Sequence, residues 1–189
     1  WLKCSIFLHL ISCSPMSSVF SVAANAGISS KGFSASVDDT LIKAKIIKNI
    51  SSLDISNLMD ITVSVSIGEV LLTGYVNNQL SRLRIVESVW KVSDVNKVYN
   101  EIIVAPQVSI TDKTEDAIFE SRIVTRLLFK SGINSNNYSI DVVGGTVYAI
   151  GLAEDLDEKT LFESYLGDMN DIPKLVTIVN LKKKENQNN

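Results

Sequence analysis

The sequence predicts an α+β protein made of two tandem αββαβ units, each a small mixed three-stranded sheet packed by two helices. Three observations carry that expectation. The stretch IGEVLLTGYV, Ile67 to Val76, returns as GGTVYAIGLA, Gly144 to Ala153. Gly68 and Gly145, Val70 and Val147, and Gly74 and Gly151 all stand 77 positions apart, so the likeness keeps one register. The same succession of hydrophobic periods, helical then alternating twice, helical then alternating once, also runs twice along the chain. Self-similarity at a fixed spacing marks repetition of one supersecondary unit.

Order is expected to begin at VDDTLIKAKIIKNI, where Asp38 or Asp39 can cap a helix and Leu41, Ile42, Ala44, Ile46 and Ile50 give it an apolar face. Next, Ile61, Val63, Val65 and Ile67 alternate with polar residues, and Gly68-Glu69 turns the chain into Val70 and Leu72, which reads as a hairpin. Asn77 or Asn78 can cap a second helix reaching about Val92, with Leu80, Leu83, Ile85, Val86, Val89 and Trp90 available to its buried side. Trp90 is expected to anchor the first core. VNKVYNEIIV closes the unit as a strand. The second copy follows suit: a helix over Thr111 to Lys130, a strand Tyr138 to Val143, a Gly144-Gly145 turn, a strand Thr146 to Ile150, a helix from Glu154 to about Met169, and a strand Lys174 to Leu181. In each hairpin the first glycine suits a tight turn, and the second is expected to let the strand leave the sheet for the helix. The units thus cover 37–104 and 112–181, with a linker at 105–111 and a polar tail at 182–189. So short a linker allows the units to dock, and independent tumbling stays open beside it.

Ahead of the first unit, WLKCSIFLHLISC has one basic residue, Lys3, and an apolar run from Cys4 to Ile11 too short to span a bilayer, as in an export signal. Its end, Leu10-Ile11-Ser12-Cys13, resembles the lipobox of bacterial lipoproteins. That makes residues 1–12 the signal peptide and Cys13 the lipidated N-terminus, carrying palmitate-type chains. Small residues at Ala24-Asn25-Ala26 admit a competing cut that would release a soluble protein. Residues 13–36, rich in Ser, Ala and Gly, read as a flexible tether.

The order of elements, the paired G-x-V-x-x-x-G segments and the phrase VNKVYNEI resemble the BON domain family in tandem. With the lipobox, the tether and VDDTL opening the first unit, the likeness extends to the family's outer-membrane lipoproteins linked to division sites and envelope stress. It implies a lipid-anchored protein on the periplasmic face of the outer membrane, binding anionic phospholipid and supporting envelope integrity, with envelope proteins as further partners. The alternative it leaves open is a soluble periplasmic stress-response or protein-binding tandem BON protein.

Composition narrows the chemistry. Formal charge is −3, and no basic, aromatic-laced face appears, so nucleic acid is not an expected partner. Cys4, Cys13 and the single histidine, His9, all precede residue 14. Once the signal is removed and Cys13 is lipidated, no histidine or free thiol remains, which excludes Ser-His-Asp and Cys-His nucleophilic systems and nearly every His- or Cys-ligated metal site there. No catalytic residue, metal or cofactor is expected. EDLDEK gathers Glu154, Asp155, Asp157 and Glu158, a conceivable calcium loop or acid/base pair, but acids crowd a helix's first turn because its dipole favours them.

Residues 112–181 hold six basic and twelve acidic residues, a local balance of −6. Against it Arg122, Arg126 and Lys130 fall at i, i+4 and i+8, one stripe of a helix, with Ile118 and Phe119 upstream. Such a stripe can rest on a membrane, cations on anionic head groups and Ile118 or Phe119 among acyl chains. The family resemblance, which attributes lipid binding to the first helix of the second domain, falls on the same five positions. The competing reading makes Ile118, Ile123, Leu127 and Leu128 core and pairs the cations with Glu115, Glu120 or the next helix. Lys182 to Lys184 form a second basic cluster of the kind that usually ends a chain in solvent.

Overall fold

The structure, a computed structural model, describes residues 37–53 and 61–183. The expected signal, Cys13, the tether and most of the tail lie outside the described residues.

Helix α1 (Val37–Ser51) buries Ile42, Ile46 and Ile50, one residue per turn, against the hairpin β1 (Ile61–Ser66) and β2 (Glu69–Val76). Helix α2 (Gln79–Trp90) starts where Asn78 accepts a hydrogen bond from the Ser81 amide at 2.9 Å, satisfying one of the amides every helix start leaves open. The chain returns as β3 (Lys97–Asn100) and β4 (Ile103–Val104), which pair in parallel with the two halves of β2. So the expected closing strand is present but broken at Glu101-Ile102. The second unit comprises α3 (Ile110–Leu128), β5 (Tyr138–Val143), β6 (Thr146–Ala153), α4 (Leu156–Gly167) and β7 (Lys174–Leu181). Its pairing repeats the first. Antiparallel Ile61↔Gly74 becomes Tyr138↔Gly151, and parallel Val70↔Val98 becomes Val147↔Leu175, each 77 positions on.

Because strand side chains alternate between faces, Val70, Leu72 and Val76 of β2 join the helices in one core while Leu71 and Tyr75 point the other way. In β6, Val147, Ala149 and Ala153 meet α3 and α4, whereas Tyr148 and Ile150 point away. The two outward faces meet. Leu71, Tyr75, Tyr99 and Ile103 of the first sheet pack with Val143, Tyr148, Ile150, Val176 and Ile178 of the second, so the molecule is layered helix, sheet, sheet, helix. Ser64 and Ser139 share a 3.0 Å hydrogen bond across the seam, the Thr73 hydroxyl donates to Asp141, and Asn180 donates to Glu69 at 3.2 Å. The units are docked.

Several expectations need correction. Ile67 is not a strand residue: with φ of 47° beside 75° at Gly68 it forms the hairpin turn, as Gly144 (58°) and Gly145 (70°) do in the second unit, and Glu69 already belongs to β2. Positive φ at both central residues is the pattern that matches strand twist. Gly74 and Gly151 do not end their strands. Both lie inside them, and at Gly151 a Cβ would sit 2.4 Å from the Asn137 carbonyl, so the absent side chain lets β5 start against β6. Helix α3 begins at Ile110 and stops at Leu128, which shortens the linker and leaves Lys130 beyond the helix. Trp90, Leu80 and Leu83 are 52%, 59% and 54% exposed, not core. The sheet is narrow enough to cover only the stripe through Ile85, Ser88 and Val89, and these three lie off it.

Candidate functional site

The five residues expected to meet lipid do not stay together. Ile118 is 56% exposed, and Arg122, one turn along α3, is exposed beside it. Phe119 turns inward and packs on the second core. Arg126 pairs with Asp171 at 2.8 Å. The hydrogen bond between them raises the pKa of the guanidinium and lowers that of the carboxyl. Lys130, past the end of α3, lays its ammonium 4.7 Å from the ring centroid of Tyr165, a cation–π contact. The structure therefore joins Ile118 and Arg122 on one open face and assigns the other three to packing and pairing within the second unit.

Ile118, Phe119 and Arg122 border an open cleft of about 680 Å³ between α3, the linker and the β5–β6 turn. Asp112, Glu115, Asp116 and Asp171 line it too, four carboxylates to one guanidinium. A headgroup phosphate entering there meets net repulsion.

Asp116 has a structural task that sequence reading missed. Its carboxylate accepts the Gly144 and Gly145 amides at 2.8 and 2.9 Å and the Tyr75 hydroxyl at 3.2 Å. Asp39, 77 positions earlier, accepts the Ile67 and Gly68 amides at 2.8 Å each. Each unit thus ties its hairpin turn to its first helix through one carboxylate. The signal was the shared offset of Asp39 with Asp116 and of both turns.

A second missed group lies at the seam. Asp141, in β5, is 8% exposed, and Glu120 of α3 approaches it while accepting the Val142 amide at 3.3 Å. Burial first, then the Asp141 charge and their shared hydrogen bond, push the Glu120 carboxyl up to about 8, and burial raises Asp141 to about 6. The pair holds a proton near neutral pH, beside the seam between the two sheets.

Three of the four acids of EDLDEK are occupied in local bonds, and Asp157 is exposed. Asp155 caps α4, accepting the Glu158 amide at 2.9 Å. Glu158 accepts the Asn134 and Glu154 amides at 2.7 and 2.8 Å, and Glu154 pairs with Lys182 at 2.9 Å. Among the described residues no group of three or more acidic, histidine or cysteine side chains is placed to hold a metal. No described helix is long and apolar enough to cross a membrane.

The BON domain family matches residues 38–106. A protein of Anaplasma centrale, described as an uncharacterised protein in the gshII 5′ region, is 35% identical over 147 residues, covering 77% of this chain and 96% of its own. Among solved structures, CdsD, a structural protein of the type III secretion system of Chlamydia trachomatis, is similar at 15% identity and a TM-score of 0.29, over 74% of this chain and 60% of that one. Its C-terminal domain gives the same identity and score over 73% and 63%.

Proposed function

From the premise that this chain carries a BON domain and belongs to one family with the Anaplasma centrale relative, we propose that it is a bacterial envelope protein that works by binding anionic phospholipid and catalyses nothing. The second unit is read as a further BON domain, on the strength of its matching helix and strand order, its closing strand unbroken, and its shared pairing register. Acyl chains on Cys13 hold the protein to the outer membrane facing the periplasm, each buried methylene contributing about 0.8 kcal/mol, so that two or three chains anchor stably. From there it supports envelope integrity.

The observation that carries the reading is the outward helix layer of each unit, where large apolar side chains, Ile118 on α3 and Leu80, Leu83 and Trp90 on α2, stand exposed near cations. Ile118 and Arg122 are the part of the α3 stripe free to touch a headgroup; Phe119, Arg126 and Lys130 support them from the second unit's own packing.

Flotation of the purified chain with anionic and with zwitterionic vesicles, at low and high salt, tests the binding. Salt-sensitive flotation with anionic vesicles alone is expected, and equal behaviour with both lipids contradicts it. Mass spectrometry of the mature N-terminus tests the anchor. An acylated Cys13 supports it, whereas a free Gly27, left by a cut after Ala26, makes the protein soluble and periplasmic.

A further inference from the structure

Leu80, Leu83 and Trp90 stand at i, i+3 and i+10, along one side of α2. They are more than half exposed, while Ile85 and Val89 on the opposite side are wholly buried. Single exposed leucines call for no explanation, but three aligned large apolar side chains, one of them tryptophan, do. The exposed cations of this helix layer are Lys45 and Lys48 on α1, Arg84 on α2, one turn from Leu80, and Lys91 just past its end, while Glu87 stands within the apolar stripe and Asp94 follows the helix. The exposed acids of these two helices are Asp38 and Glu87. In the second unit the balance reverses, with Asp112, Glu115 and Asp157 exposed on α3 and α4 against Arg122.

We propose that this α1/α2 face is where the chain meets an anionic phospholipid bilayer, Leu80, Leu83 and Trp90 entering the boundary between head groups and acyl chains and Lys45, Lys48, Arg84 and Lys91 meeting phosphates. The inference rests on the phospholipid-binding reading and moves the contact to the other side of the molecule. With the two sheets packed back to back, the helix layers face in opposite directions, so one flat bilayer meets one layer at a time. The α1/α2 face has the composition that membrane surfaces select: basic flanks attracted to anionic lipid, and an amphipathic indole suited to the interface. The α3/α4 layer also exposes large apolar side chains, Ile110, Ile118 and Leu128 on α3, Phe129 just past it and Leu156 on α4, but its one exposed helix cation, Arg122, stands beside the acidic cleft.

Trp1 and Trp90 are the only tryptophans, so the full chain with Trp1→Phe reports from Trp90 alone. Its emission is followed on phosphatidylcholine vesicles and on vesicles containing phosphatidylglycerol, both with spin-labelled acyl chains as quenchers. Quenching and a blue shift are expected on the anionic vesicles and not on the neutral ones. Leu80→Ser with Leu83→Ser, and separately Lys45→Glu with Arg84→Glu and Lys91→Glu, each reduce quenching by about tenfold, while Leu156→Ser on α4 leaves it unchanged. All these positions are exposed, and unchanged circular dichroism and urea midpoints certify the folds. A chain that floats with anionic vesicles while Trp90 stays unquenched overturns the inference and leaves the phospholipid reading standing. A chain that never floats overturns both. Trp90 shielded from acrylamide without lipid, with a mass that grows with concentration, assigns the face to a second copy and also overturns the inference.

Discussion

Ile67 is the residue at which the backbone works hardest. A β-branched side chain at φ of 47° costs about 1–2 kcal/mol, because Cβ crowds the following carbonyl in the left-handed region. Little burial offsets that cost, since Ile67 is 43% exposed. Ile67→Asn creates the Asn-Gly pair this turn type favours and is expected to stabilise the chain by about 1 kcal/mol, read as a higher urea midpoint at unchanged slope. The carboxylate beneath the turn has the opposite sensitivity. Asp39→Ala leaves the part-buried Ile67 amide and the buried Gly68 amide without their charged acceptor, and a loss of about 2–4 kcal/mol is expected in the same measurement. Local reading could not reveal this role, because an aspartate in a first helical turn looks like a cap. Only the 77-residue offset it shares with Asp116 ties it to the hairpin.

At the scale of elements, strands were more legible than helix ends. Tyr138–Val143 and Lys174–Leu181 fall where alternation and flanking turn residues place them. The end of α3 does not: Arg122, Arg126 and Lys130 keep helical spacing on paper, but the chain leaves the helix at Phe129 and Gly132 takes φ of 84°, which redirects Lys130 to Tyr165. The polar side of β1 misled in another way. Ser64 and Ser66, the polar residues that alternate with the apolar ones, are 5% and 1% exposed, because small hydroxyl residues fit a seam between sheets as readily as a wet surface. The same seam holds Glu120 and Asp141, whose pKa values lie above the ordinary 4.5 and 3.8. The folded state keeps protons that the unfolded chain releases, so this contribution to stability is fully present below about pH 4 and is lost as pH rises through about 6 and then 8. Urea midpoints are therefore expected to fall between about pH 5 and about pH 9, and Glu120→Gln, which keeps the neutral form at every pH, is expected to flatten the fall. A midpoint equally steep in wild type and Glu120→Gln would remove the pair from the account.

For the whole molecule, the consequential feature is the back-to-back packing of the sheets. The linker's length left docking open, and the sequence evidence for it was there in β2 and β6, where VLLTGYV and VYAIGLA are apolar on both faces, as strands covered on both sides are. Ile150 is wholly buried in that seam. Ile150→Ala is expected to cost about 2–5 kcal/mol and to lower the melting temperature of both units together, since each supplies the other's cover. Calorimetry should show one transition in wild type; two separable transitions, one of them indifferent to Ile150→Ala, would mean the units fold apart. Docking also fixes what the molecule can offer a membrane. The sheet faces are spent on each other, which leaves the helix layers for contact, and their unequal charge makes the two ends of the molecule different.

The proposed function depends on attraction to negatively charged lipid. The most direct measurement is the fraction of full chain bound to vesicles as their anionic share is raised at fixed salt, with Cys13→Ser in parallel to separate the anchor from the folded units. The prediction is a bound fraction that climbs with anionic content for both proteins and collapses at high salt for the unacylated one. Binding indifferent to anionic content, or absent once Cys13 is replaced, would contradict it.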